Sequence, residues 1–262
     1  MQSIVCQVNN LLKNHINPIR IILYLYPYKL YILFQLKYLN IWYLLIPFLI
    51  FTSCKNNTIP TGEVSASVIE YKVTYLSEKA GSIPTKMLPG KMTVIFAGHF
   101  VLNRIEGFFG QFSLMYIGNL KKKSVITMLK LFDKKYVYYG KNGELPCGFS
   151  ELKNLSIEET GNTRDLLGLN CKELLISSDE NQSFYILCSD EIEVKNPNVT
   201  TPFKKIEEVL LEFNTKLSML DMKLTATSIQ EKKISWDIFR VAEDYKERPK
   251  EFMENTIHEL FK

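Results

Sequence analysis

The sequence predicts a mainly β (α+β) protein: a curved, largely antiparallel half-barrel sheet with a few helices. Three observations predict it. Short runs in which apolar and polar residues alternate recur from about Val64 to Val241, and a period of two marks a half-buried strand. Turn signals such as Pro89-Gly90 and Lys141-Asn142-Gly143 separate those runs. Only the tail, Pro249 to Phe261, carries a clear helical stripe, made by Phe252, Met253, Ile257, Leu260 and Phe261, with Pro249 placed near the first turn.

The elements follow in order. Ile69, Tyr71, Val73 and Tyr75 alternate with Val68, Glu70, Lys72 and Thr74, giving a first strand. Gly81, Pro84, Pro89 and Gly90 make residues 81–90 a loop. Met92–Ile105 reads as one extended stretch, with His99 inside it, followed by Gln111–Gly118, Ser124–Phe132 and Lys135–Tyr139. Glu151–Glu159 is a short helix or a loop. Leu169–Ser177 and Ser183–Ile192 flank the polar stretch Ser178 to Gln182 and predict a hairpin. Val209–Asn214, Lys216–Ile229 and Lys233–Val241 continue the strand pattern. The clearest half-buried strand sets Leu220, Met222, Leu224 and Ala226 against Asp221, Lys223, Thr225 and Thr227.

Of 262 residues, 46% are hydrophobic and 23% charged, which excludes a disordered chain. A net charge of +4 is too small to argue for nucleic acid, and the run Lys121-Lys122-Lys123 reads as a solvated turn. The composition divides the chain into three parts: an apolar leader (1–53), a tether (54–63) rich in Lys, Asn, Thr, Pro and Gly, and a β-rich domain (64–262) large enough to bury a core.

In the leader, residues 19–53 carry charge only at Arg20, Lys29 and Lys37. Lys37, the apolar run Tyr38–Phe51 and the small residues Thr52 and Ser53 match the parts of a secretory signal. "FTSCKNN" resembles a bacterial lipobox, in the Ser-Cys form found in lipoproteins of Bacteroidota, although Phe51 stands where Leu, Val or Ile is usual. The resemblance implies cleavage before Cys54 and a diacylglycerol on its thiol. It places the protein in the cell envelope as a membrane-anchored lipoprotein, on an unspecified face. Two or more acyl chains give a stable anchor, at about 0.8 kcal/mol per buried methylene. The alternative is an uncleaved signal anchor. The 35 positions of 19–53 exceed the roughly 20 a span needs, so residues 1 to about 36 either precede the true start or form a second apolar helix.

Cys147, Cys171 and Cys188 remain in the body. Centring the predicted hairpin on Asp179 and Glu180 places Cys171 opposite Cys188, within disulfide reach. The cysteine spacings lack a metal-binding pattern, so neither metal nor cofactor is expected. His99 and His258 sit in no nucleophile motif, and the chain lacks GxSxG, HExxH and glycine-rich phosphate loops. Asp190-Glu191 and Glu207-Glu208 read as solvated strand ends. No catalytic residue is assigned. Asn56, Asn154, Asn181 and Asn198 fall in N-x-Ser/Thr sequons, which carry no meaning in a bacterial lipoprotein.

Several segments resemble a group of Bacteroidota cell-envelope lipoproteins related to the outer-membrane lipoprotein carrier (LolA-like) fold. They are "IEYKVTY", "ETGNTRDLLGLNCKELLI", "SFYILCSDEI", "VLLEFNTKLSMLDMKLTAT" and "FRVAEDYKE". In the second, Gly168 and Cys171 match the group's pattern, and Leu166 and Leu174 replace its usual residues. The GLPGLI branch of the group has Gly-Leu-Pro-Gly before "LLEF"; here Ile206, Glu207, Glu208 and Val209 occupy that place. The resemblance implies an open, curved sheet wrapped around helices, which in the carriers holds acyl chains, and no known activity. The expected function is therefore non-enzymatic: a lipid-anchored protein whose sheet binds an acyl or other apolar ligand, or an envelope partner protein. Tyr71, Val73, Met222 and Leu224 are the candidate apolar lining, with ordinary core as the competing role. The alternatives are a ligand-free assembly scaffold and an enzyme of unrecognised class.

Overall fold

A computed structural model describes residues 59–80, 83–178 and 183–262. Cys54 and the leader lie outside the described residues. The strands are β1 (Glu63–Tyr75), β2 (Lys79–Ala80), β3 (Ile83–Pro84), β4 (Lys91–Ala97), β5 (Phe100–Gly107), β6 (Phe112–Asn119) and β7 (Ser124–Leu131). They continue as β8 (Lys134–Tyr139), β9 (Ser156–Leu166), β10 (Leu169–Ser177), β11 (Ser183–Ser189), β12 (Val209–Leu217), β13 (Leu220–Ser235) and β14 (Lys246–Glu247). One helix, α1 (Lys250–Leu260), follows, the only α-helix among the described residues. None of the described helices is long and apolar enough to cross a membrane.

Twelve strands form one open sheet in the order β14-β8-β7-β6-β5-β4-β1-β13-β12-β11-β10-β9. All neighbours are antiparallel except β14 and β8. Two meanders, β4–β8 and β9–β13, are therefore joined through β1, which pairs with β4 on one side and β13 on the other. The short hairpin of β2 and β3 stands apart.

The two halves differ in how they are covered, and the sequence pattern follows that difference. In β13, Leu220, Met222, Leu224 and Ala226 are buried and the residues between them are partly exposed. One face is core and the other is wet, so the alternation is clean. In β4, Met92, Val94 and Phe96 pack on one face while Ile95 and Ala97 pack on the other. Both faces are covered there, so the run is almost wholly apolar. On the first face lie α1, through Met253, Ile257 and the following Phe261, and the segment 197–206. The opposite face of the β4–β8 half is covered by the chain leaving β13. Trp236 and Phe239 pack on Phe100, with ring centroids 6.0 and 5.5 Å away.

Several expectations are corrected. Met92–Ile105 is a hairpin, not one strand. Ala97 pairs with Phe100 across Gly98-His99, so His99 sits in a tight turn. Gly98 has φ +55°, and a Cβ there would lie 3.3 Å from the Trp236 ring. Lys233–Val241 is strand only to Ser235, whose hydroxyl accepts from the Asp237 N–H and starts a 3-10 turn. Glu151–Glu159 holds no helix; from Ser156 it is β9, an edge strand. Nearly all of β9 is exposed and polar, so no apolar alternation marks it. In place of the few helices expected inside the sheet, the described residues supply one α-helix and irregular chain.

The β10–β11 register also differs by one residue. Cys188 pairs with Lys172, and Cys171 faces Arg164 of β9. The predicted Cys171–Cys188 bond is therefore not formed; both thiols are buried and free. Residues 179–182 of the turn lie outside the described residues.

Candidate functional site

The first face of the sheet is where a ligand would enter, and the chain itself fills most of it. The segment after β11 crosses this face from Pro197 to Ile206. Asn198 is buried, and its side-chain amide donates to the carbonyls of Ile206 (2.7 Å) and Glu208 (2.9 Å). An amide committed in this way has no room for a glycan. Asn103 of β5 donates to Thr200 Oγ1 at 2.7 Å. Gly118 of β6 permits the approach, because a Cβ there would lie 2.7 Å from Thr200 Cγ2. Phe203 is fully buried and meets Phe184 and Phe213 edge-on, both at 6.1 Å.

What is left under this plug is a cavity of about 40 Å³, walled by Tyr71, Phe96, Tyr116, Phe213 and Leu224 among others. That is room for one or two waters. The Tyr71 hydroxyl donates to the Leu210 carbonyl at 2.6 Å, and the Tyr116 hydroxyl donates to the Cys147 carbonyl at 3.2 Å. Burial pushes both phenols above their ordinary pKa; the neighbouring Cys147 and Glu254 add to the rise at Tyr116. These tyrosines serve as hydrogen-bond donors to the backbone. Of the predicted lining residues, Tyr71 and Leu224 border the cavity. Val73 and Met222 belong to the same core without reaching it.

A wider recess, of about 390 Å³, opens beside it at the end of the sheet where β1 finishes. Leu76, Leu152 and Phe184 supply its apolar wall; Ser150, Asn214, Lys216 and Asp221 supply polar groups. Thr215 lines both spaces, and its buried hydroxyl has no hydrogen-bond partner among the described residues. Nothing in the sequence marks this recess, because its walls come from six short stretches scattered between Leu76 and Asp221.

The remaining singled-out residues are dispersed. The His99 ring stacks on Phe100 at 5.3 Å, and His258 Nδ1 lies 3.2 Å from Ser218 Oγ near the other end of the sheet. Asp190 and Glu208 do meet, but on the Lys172 ammonium, at 3.9 and 3.3 Å, as a surface ion cluster. Glu191 accepts from the Asn170 N–H at 2.7 Å. Lys121, Lys122 and Lys123 are exposed, all three in the turn between β6 and β7. Among the described residues no group of three His, Cys, Asp or Glu is arranged to hold a metal ion.

A polar clamp fixes α1 against the site. Glu144 forms a 2.8 Å ion pair with Lys250 and accepts from the Tyr138 hydroxyl and the Lys141 N–H, each at 2.9 Å. Burial raises the Glu144 pKa, but Lys250, Lys141 and Tyr138 outweigh it and hold the carboxyl down at about 2. A depressed carboxylate pKa stabilises the fold above the unfolded value, near 4.5, and that stabilisation is lost as pH falls toward 2. After solvent screening the contribution is about 1–2 kcal/mol. The difference in stability between wild type and Glu144→Gln, followed by urea unfolding from pH 6 to 3, is expected to shrink across that window. Taking the difference removes the opposite trend of Glu254, whose pKa burial raises.

No family model and no curated protein matches the chain. Among solved structures, that of PNGF-II superposes with a TM-score of 0.50 at 15% sequence identity, covering 74% of this chain and 32% of that one. This chain thus spans about a third of the length of that protein. The likeness concerns the fold alone: an open sheet, mostly antiparallel, with little helix.

Proposed function

We propose that the chain is a lipid-anchored protein of the cell envelope, held through Cys54, that binds a partner protein with a sheet of the lipoprotein-carrier half-barrel type. The half-barrel form is supported by the walls of the inner cavity. β6 and β12 both line it, yet they stand five strand spacings apart, about 24 Å on a flat sheet.

One observation carries the choice of a protein over an acyl ligand: the cavity of about 40 Å³ under the 197–206 plug. Pockets for small molecules hold about 300–1,000 Å³. The recess reaches that size, but Ser150, Asn214, Lys216 and Asp221 put polar and charged groups on its wall, which suits a side chain or loop of a partner. The lipobox-like "FTSCKNN" and the polar residues that follow support the anchor.

Two measurements test this reading. Metabolic labelling with palmitate is expected to mark the wild-type chain and leave Cys54→Ala unmarked; equal labelling of both overturns the anchor. Mass spectrometry of the natively purified protein is expected to show no stoichiometric acyl species within the body, and a copurified acyl chain that survives removal of the Cys54 anchor returns the function to lipid carriage.

A further inference from the structure

Two phenylalanines project from neighbouring loops at the end of the sheet where β1 finishes. Phe109, between β5 and β6, is fully exposed at 107% of its reference area; Phe132, between β7 and β8, is 69% exposed. A hydrogen bond from the Phe132 N–H to the Gln111 carbonyl, 2.7 Å, ties the two loops together. Met87, 60% exposed, lies in the loop whose Pro89 packs on Gly107 at the start of the β5–β6 connection. We propose that Met87, Phe109 and Phe132 form the docking ridge for the partner protein, and that the partner offers an apolar recess with an acidic rim.

Each phenylalanine is disfavoured twice. Phe109 has φ +54° and Phe132 has φ +55°, the left-handed region that bulky residues avoid. The two-residue turn at Phe132-Asp133, closed by the pair Leu131 and Lys134, ordinarily takes Gly, Asn or Asp at such a position. Exposing each ring to water adds a second cost. Folding gains from neither choice, and strain held at a loop tip points to function. Aromatic side chains standing proud of a rigid sheet are what anchor protein interfaces.

The surrounding charge selects the partner's chemistry. Lys86, Lys91 and Lys134 flank the ridge without an ion-pair partner among the described residues. Lys130 donates to the Gly110 carbonyl at 2.8 Å and holds the Phe109 loop. Asp133 is the one acidic residue on the tips themselves. The net positive field calls for carboxylates on the partner's rim.

An anionic bilayer offers some of the same chemistry, but seating the Phe132 tip in it would press the adjoining Asp133 carboxylate into a like-charged surface, whereas a protein rim can leave that position open. The ridge rests on the partner-binding reading proposed above.

The test is site-specific photocrosslinking of the full chain in intact cells, with benzoylphenylalanine at position 109, 132 or 139. Tyr139, exposed at the opposite end of β8, is the control. Positions 109 and 132 are expected to give the same discrete adduct with another protein, at least tenfold stronger than at 139. The adduct should fall at least fivefold with Lys86→Glu and Lys134→Glu together, and the crosslinked peptide should contain Asp or Glu beside apolar residues. A lipid adduct, an adduct with a second copy of this chain, adducts indifferent to the lysines, or no adduct at all would each overturn the proposal. Loss of palmitate labelling with the protein adduct intact would remove the anchor and leave the ridge.

Discussion

Phe203→Ala is expected to lower the unfolding free energy by about 3–5 kcal/mol, the range for truncating a fully buried phenylalanine. The ring has no exposed surface, and its two edge-on neighbours, Phe184 and Phe213, come from different strands. They cannot both follow it inward, so the site relaxes little and the upper part of the range applies. Urea unfolding of wild type and variant measures the loss. A change below about 1 kcal/mol would mean that the 197–206 segment is not part of the core. The substitution has a second consequence. Phe203 also borders the open recess, while Phe213 borders the inner cavity. Removing the ring enlarges the recess toward the inner cavity and makes its wall more accessible, so the variant should bind an apolar fluorescent dye more strongly than wild type.

Asn198→Ala is the second large effect. The buried side-chain amide serves two carbonyls, those of Ile206 and Glu208. Alanine leaves both without that donor. Each unsatisfied group costs about 1–3 kcal/mol, and partial access of water to Glu208 brings the expected total to about 2–4 kcal/mol. Asn198→Asp keeps the shape and loses the donor, so it should be no milder. Limited proteolysis separates this mechanism from general destabilisation. Under native conditions, cleavage should begin within 197–206 in both variants and elsewhere in Phe203→Ala only on global unfolding.

The legible parts of the fold are those where one face is wet. β1 and β13 were readable because Tyr71, Val73, Met222 and Leu224 alternate with polar residues. The tail helix was readable because Met253, Ile257 and Phe261 share one buried side. Where both faces are covered the period disappears. The β4–β5 hairpin merged into one run, and only Gly98 marked the reversal. The edge strand β9 failed for the opposite reason: with neither face buried, its residues carry no apolar signal. The cysteine pairing failed on one residue of register, which sequence symmetry about a turn cannot fix.

The candidate site was less legible still. Tyr71 and Leu224 were identified as lining, but the plug that closes the space over them was not. Its sequence, "PNVTTPFKKI", has the Pro, Asn and Thr of a surface loop. What makes it core is tertiary: an asparagine turned inward onto carbonyls and a single phenylalanine seated between strands. The docking ridge was equally hidden: Phe132 falls inside the predicted stretch Ser124–Phe132, although β7 ends at Leu131, and Phe109 falls in the gap between two predicted stretches, where nothing marks the left-handed backbone at either ring.

The placement of β1 between the meanders has a kinetic consequence. Every hairpin of the first meander closes over a short loop, as does every hairpin of the second except β11–β12, whose connection carries the plug; contacts over short loops form on the microsecond scale. Glu63 must find Ser235, and Tyr75 must find Met222, across nearly the whole length of the described chain. That search carries the largest loop-closure entropy in the molecule, and high contact order slows folding. The meanders should therefore gain structure early, and the seam that unites them should be the last to zip, with β13 the strand left waiting.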